Sequence, residues 1–114
     1  METRYRVRGG GVDAEIGRQA AEALRAAVGR LQGSVAEIMV MLDDEVRAGA
    51  DAKAGAEPVQ AMTVRIDFLS GGRLIIEREG DAREDWARII PRMAERTAVG
   101  VRRELERRWE RTAM

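Results

Sequence analysis

The chain contains no cysteine and no histidine. The first absence excludes a disulfide framework, a thiolate nucleophile and a Cys-based zinc site. The second removes the imidazole that serine triads, and most acid–base catalysis at neutral pH, depend on. Aromatic residues make up only 4% of the sequence, so the core must be aliphatic. Net charge is lacking too, because 20 basic residues balance 20 acidic ones. A strongly basic nucleic-acid binder would show its charge in that total. Lys53 is the only lysine, so nearly all the positive charge is arginine. No apolar run approaches the roughly 20 residues that a membrane span needs. The opening, Glu2-Thr3-Arg4-Tyr5-Arg6-Val7-Arg8, alternates charged and apolar residues and does not read as a signal peptide, which makes the cytoplasm the expected compartment.

What is present suits one soluble domain: 114 residues, 45% hydrophobic and 35% charged. Thr3, Tyr5 and Val7 face one way and the charged residues between them the other, as in a strand with one wet face. Gly9-Gly10-Gly11 breaks it, and Asp13 is placed to cap a helix. Ile16, Ala20, Leu24, Ala27 and Leu31 recur at helical spacing, predicting a helix from Ala14 to Gln32 that stops at Gly33. Val35 to Leu42 reads as a second strand, with Ala36, Ile38, Val40 and Leu42 on one face and Glu37, Met39 and Met41 on the other. Residues 43–60 show no apolar period and read as a long, mobile, acidic loop. Met62 to Leu69 and Arg73 to Glu79 form a predicted hairpin around Ser70-Gly71-Gly72. Asp81 or Asp85 then opens a last helix, Asp81 and Glu84 having capping-box spacing. Its buried stripe is Trp86, Ile90, Met93, Thr97, Val101 and Leu105, with Pro91 expected to end the first turn or bend the helix. The expected fold class is α+β: a β-α-β-β-β-α order giving one four-stranded sheet with both helices on one face.

Three features carry candidate chemistry. Gly9, Gly11 and Ala14 fit the spacing of a dinucleotide fingerprint, but the arginines alternating through the preceding strand favour a tight turn. Asp43-Asp44-Glu45 resembles a metal or general-base cluster, against which stands a solvated loop. Met39 and Met41 offer either a soft contact surface or burial beneath a partner or the loop. More informative is the last helix, where Arg92, Arg96, Arg103 and Arg107 fall along one flank and Arg102 lies elsewhere. From Arg96 to Met114 there are 6 Arg against 3 Glu, whereas Asp43 to Glu57 holds 5 acids against 2 bases. Charge is therefore partly segregated, and an arginine stripe can follow a phosphate backbone. The plainer alternative is a solvated face laced with ion pairs such as Arg102 with Glu106.

With that organisation the sequence resembles the ribosome hibernation-promoting factors, also called sigma-54 modulation or ribosome-associated inhibitor proteins. The first strand with Gly9 to Val12 is similar to the family's opening strand and turn. Asp85-Trp86-Ala87 with Ile90 and Met93 resembles the start of its last helix, and Arg96, Thr97 and Val101 follow in register. Pro91 stands where the family has Asp, and Val99 where it has a basic residue. The resemblance implies a short form that binds 16S-type rRNA of the small ribosomal subunit near the decoding centre, rather than DNA or a membrane, and inhibits translation on idle ribosomes. It implies no cofactor, no metal and no enzymatic activity. By matched position Arg96, Arg102 and Arg103 would contact rRNA, and helix geometry adds Arg92 and Arg107. The alternative is a diverged member acting as a protein–protein module, through a homodimer or another partner, without ribosome binding.

Overall fold

The structure, a computed structural model, describes residues 1–45, 59–80 and 84–112. Its elements run β1 (Glu2–Arg8), α1 (Ala14–Val28), a 3₁₀ turn (Gly29–Ser34), β2 (Val35–Glu45), β3 (Val59–Phe68), β4 (Arg73–Gly80) and α2 (Trp86–Thr112). The four strands form one sheet in the order β1-β2-β3-β4. β1 pairs parallel with β2, and the other two pairings are antiparallel. α1 packs on β1 and β2, α2 packs on β4, and the helices touch each other. Both therefore cover one face, as the strand alternation required. The core joins Leu24 and Val28 of α1, Ile38, Val40 and Leu42 of β2, Val64 and Ile66 of β3, and Met93 and Val101 of α2.

Local chemistry accounts for most of this. Asp13 caps α1, its Oδ1 accepting from the Ile16 N–H at 2.9 Å. On the solvent side of the same helix Arg18 lies between Glu15 and Glu22. The hydrogen bond from Arg18 holds the Glu15 carboxyl below its ordinary range and raises the guanidinium in return. Gly17 lets the helix lie directly on β1: a Cβ there would come within 2.6 Å of the Tyr5 ring and 2.7 Å of Val7 Cγ1.

Four features depart from the sequence reading. α1 stops at Gly29, whose φ of 50° ends it and whose N–H caps Arg25, so Leu31 falls in the 3₁₀ turn and Gly33 is not the stop. The register of β2 slips between Val35 and Glu37. This bulge puts Val35 in the core and leaves Ala36 half-exposed, so the expected face pattern holds only from Ile38 onward. The supposed loop at 43–60 is shorter than expected, because Asp43, Asp44 and Glu45 pair with Ala61, Gln60 and Val59; residues 46–58 lie outside the described ones. Lastly, of the two outcomes expected at Pro91, an end to the first turn does not occur, because α2 runs through it. Pro91 is exposed and is the sixth residue of the helix, where the missing donor affects only the bond to Ala87.

Gly9 adopts φ +97°, and a Cβ there would sit 2.3 Å from the Asp44 carbonyl oxygen, the same oxygen that accepts from the Gly11 N–H at 3.0 Å. The glycine run thus serves a close crossing of the chain over the end of β2. Gly9→Ala should lower unfolding free energy by about 2 kcal/mol or more, since it combines a strained φ with a backbone clash. Gly10→Ala, with nothing within 4 Å of the added carbon, should change it by less than about 0.5 kcal/mol. Urea denaturation of the two variants checks the pair.

Candidate nucleic-acid interface

The interface is built on α2, and a buried polar seam sets where that helix starts. Asp44 and Gln60 occupy core-facing positions at the ends of β2 and β3, each only 2% exposed. The indole N–H of Trp86 donates to Asp44 Oδ2 at 2.8 Å. Gln60 both donates to the Glu84 carbonyl (2.7 Å) and accepts from the Glu84 N–H (3.0 Å). Asp85 caps the helix by accepting from the Ala87 N–H at 3.0 Å. Of the expected capping box, Asp81 lies outside the described residues. Glu84 is engaged elsewhere, by Arg78 at 2.7 Å and Arg92 at 3.0 Å.

From this start the expected stripe of Trp86, Ile90, Met93, Thr97, Val101 and Leu105 is buried in full, with Ile89 and Ala94 added. The Thr97 hydroxyl is satisfied within the helix, donating to the Met93 carbonyl at 2.7 Å. The arginine flank lies next to this stripe, on the side of the helix that borders β4. Arg92, Arg96 and Arg103 line one open groove of about 590 Å³ beside β4, together with Ile76, Val99 and Glu95. Arg96 also reaches the Glu77 carbonyl at 3.4 Å. Because Phe68 N–H bonds the Gly72 carbonyl, alternation along β4 turns the Glu77 carbonyl to the free edge of the sheet. Arg96 therefore straddles that edge.

The five expected contact residues are thus not equivalent. Arg92, Arg96 and Arg103 are brought together; Arg107 lies a turn further on and Arg102 on another side. Arg92 is tied to Glu84, and Arg107 sits 3.6 Å from Glu104. Among the described residues Arg102 and Arg103 have no ion-pair partner, and the anticipated Arg102–Glu106 pair does not form; Glu104 takes Arg107 and Arg108 instead.

Elsewhere the basic residues are mostly neutralised. On the open sheet face Arg65 lies between Glu37 (3.6 Å) and Asp67 (3.5 Å), and Arg73 pairs with Asp67 at 2.7 Å. Met39 and Met41 are half-buried on that face, beside Arg4 and Arg6 in register. The Asp43-Asp44-Glu45 run is neither a metal cluster nor a solvated loop. Strand alternation sends Asp44 into the core and the other two to the open face, where Glu45 meets Arg8 at 3.0 Å. Among the described residues no group of three acidic side chains is placed to hold a metal. Nor, among them, is any helix long and apolar enough to cross a membrane.

The fold is similar to that of a ribosomal subunit interface protein from Coxiella burnetii. The two share a TM-score of 0.54 at 11% identity, over 90% of this chain and 98% of that one. The N-terminal domain of Thermus thermophilus Protein Y is also similar, with a TM-score of 0.51 at 18% identity, over 90% of this chain and 93% of the other. No protein-family profile matches the sequence, and no curated protein does. The likeness to the interface protein and to Protein Y is thus one of fold, reached through the β-α-β-β-β-α order rather than through shared residues.

Gln60 was missed by sequence reasoning, and Glu84 was read only as a capping-box member, because nothing in hydropathy marks Gln60 as a buried, satisfied polar side chain or connects it to the backbone at Glu84. Trp86→Phe keeps the apolar bulk but removes the donor to Asp44. It should cost about 1–3 kcal/mol, the usual penalty for stripping a partner from a buried acceptor. Asp44→Asn, which keeps an acceptor and removes the charge, should cost less. Thermal unfolding at pH 7 compares them.

Proposed function

We propose that this chain binds 16S-type rRNA on the small ribosomal subunit near the decoding centre and inhibits translation by occupying the surface. The observation that carries this reading is the groove in which Arg92, Arg96 and Arg103 gather with Glu95 as the one carboxylate in its lining, Arg92 being also tied to Glu84. A fold similar to a ribosomal subunit interface protein supports it. The mechanism needs no covalent chemistry. Guanidinium groups along a rigid helix meet phosphate oxygens through paired N–H donors, and binding releases counterions. From Arg92 to Arg103 the helix rises about 16 Å, enough to follow several phosphates. Such a partner places the protein in the cytoplasm.

The residues expected to contact rRNA are Arg92, Arg96, Arg102, Arg103 and Arg107, ranked by how free each is. Arg103 and Arg102, with no ion-pair partner among the described residues, contribute most; Arg92 and Arg107, each beside a carboxylate, contribute least. Replacing Arg92, Arg96, Arg103 and Arg107 together by Gln should weaken small-subunit binding at least tenfold. It should also flatten the dependence of log affinity on log salt, by up to about 0.7–0.9 for each phosphate no longer neutralised. The fold should persist, because Gln nearly matches Arg in helix propensity. Arg103→Gln alone should weaken binding more than Arg107→Gln. Co-sedimentation at two salt concentrations reads both effects. Wild-type protein that fails to bind at low salt rejects the ribosome reading, and equal salt slopes for wild type and the fourfold variant reject the flank as its contact surface.

A further inference from the structure

The two tryptophans have opposite surroundings. Trp86 is 6% exposed and hydrogen-bonded, whereas Trp109 near the end of α2 is 55% exposed. Trp109 forms one wall of a cleft of about 300 Å³ that also involves Gly33, Ser34, Leu69, Leu105 and Arg108. Leu69, on the opposite lip, is 66% exposed. A large ring and a leucine held open to water at one cleft form a binding surface rather than a core.

The cleft is held in shape. Arg108 lies 4.4 Å from the centre of the Phe68 ring. Its Nη1 donates to Ser70 Oγ at 2.7 Å and to the Gly71 carbonyl at 2.5 Å, and its Nε to Glu104 at 3.2 Å. These contacts fasten the end of α2 to the β3–β4 turn, so the Trp109 ring is presented by a rigid support. Arg111, two residues on, projects to the other side of the helix, into a separate depression with Glu104. Arg102, seven residues before Trp109, returns to nearly the same side of the helix about 10 Å away.

We propose that Trp109 is a stacking platform for one unpaired base of single-stranded RNA, with Arg102, on the same side of the helix, taking a neighbouring phosphate. The proposal rests on the RNA-binding reading above and names a second contact for it, away from the arginine groove. Base–aromatic stacking tolerates any sequence and needs only a flat exposed ring beside positive charge. A phosphate lying on the axis at this end of the helix would meet the negative end of its dipole; a base carries no such penalty. A second copy of the chain fits less well, because a two-fold contact through Trp109 would bring Arg102 near its own copy.

Intrinsic fluorescence separates the two tryptophans, since only Trp109 is open to solvent. A nine-nucleotide single-stranded RNA of mixed sequence, titrated into wild-type protein, should quench the solvent-exposed emission, while a duplex of the same sequence should not. Trp109→Ala should abolish the quenching and weaken oligonucleotide binding roughly tenfold, with the Trp86 emission and thermal midpoint retained. Trp109→Phe should restore most of the affinity. Equal binding by Trp109→Ala overturns the platform. So does an oligomer that dissociates on Trp109→Ala or Leu69→Ala, since the second copy is then the occupant. Wild-type protein that co-sediments with small subunits but leaves Trp109 unquenched overturns the platform and spares the ribosome reading; failure of both rejects RNA binding altogether.

Discussion

The hydrogen bond from the Trp86 indole to the Asp44 carboxylate fixes how α2 meets the sheet. A carboxylate 2% exposed is tolerable only when donors reach it. Asp44 therefore ties the end of β2 to the first residue of the helix, and Gln60 ties the end of β3 to the backbone at Glu84. Two strands thus hold the helix start at several points. A helix anchored in this way has a fixed rotation about its own axis. That rotation decides which residues meet solvent, so the direction of the arginine groove is set some 20 residues away from the arginines at its far end. Arg108, bonded to the turn between β3 and β4, fixes the other end.

Charge neutrality of the whole chain conceals this arrangement. Carboxylates are spent on the outer side of α1, where Glu15 and Glu22 hold Arg18, and on the open sheet face, where Glu37 and Asp67 hold Arg65 and Arg73. Along α2 the pairing is incomplete: Glu84 takes Arg92, Glu104 takes Arg107 and Arg108, and Arg103 is left over. A local positive field is thus produced by where the acids go, not by an excess of bases. Net charge alone is a poor guide to partners in such a protein.

The period-two alternation of β1 and β3 and the 3.6-residue stripe of α2 were legible in the sequence because apolar side chains mark them directly. Every member of the Trp86-to-Leu105 stripe is buried as expected. The extension of β2 into Asp43–Glu45 was not legible, since Asp44 and Gln60 are polar residues in apolar phase and their partners lie far along the chain. The early stop of α1 was hidden because Gly29 and Gly33 are equally good helix stops until the backbone chooses. The bulge at Ala36 leaves no mark in composition. For the candidate site, the arginine flank was visible from helical spacing, but its division into a groove of three and two outliers was not. That division depends on Glu84, Glu104 and the Glu77 carbonyl, none of which spacing alone connects to α2.

The parallel pairing of β1 with β2 has a consequence for how the chain folds. β3 and β4 are joined by a four-residue turn and can zip from it, whereas Glu2 must find Glu37 across all of α1. Closing the longer loop loses more chain entropy before any contact rewards it. The topology therefore favours the hairpin forming before the N-terminal strand adds to the edge of β2. As an edge strand with a single neighbour, β1 is also where fraying is expected to begin, so that its backbone amides exchange with solvent early.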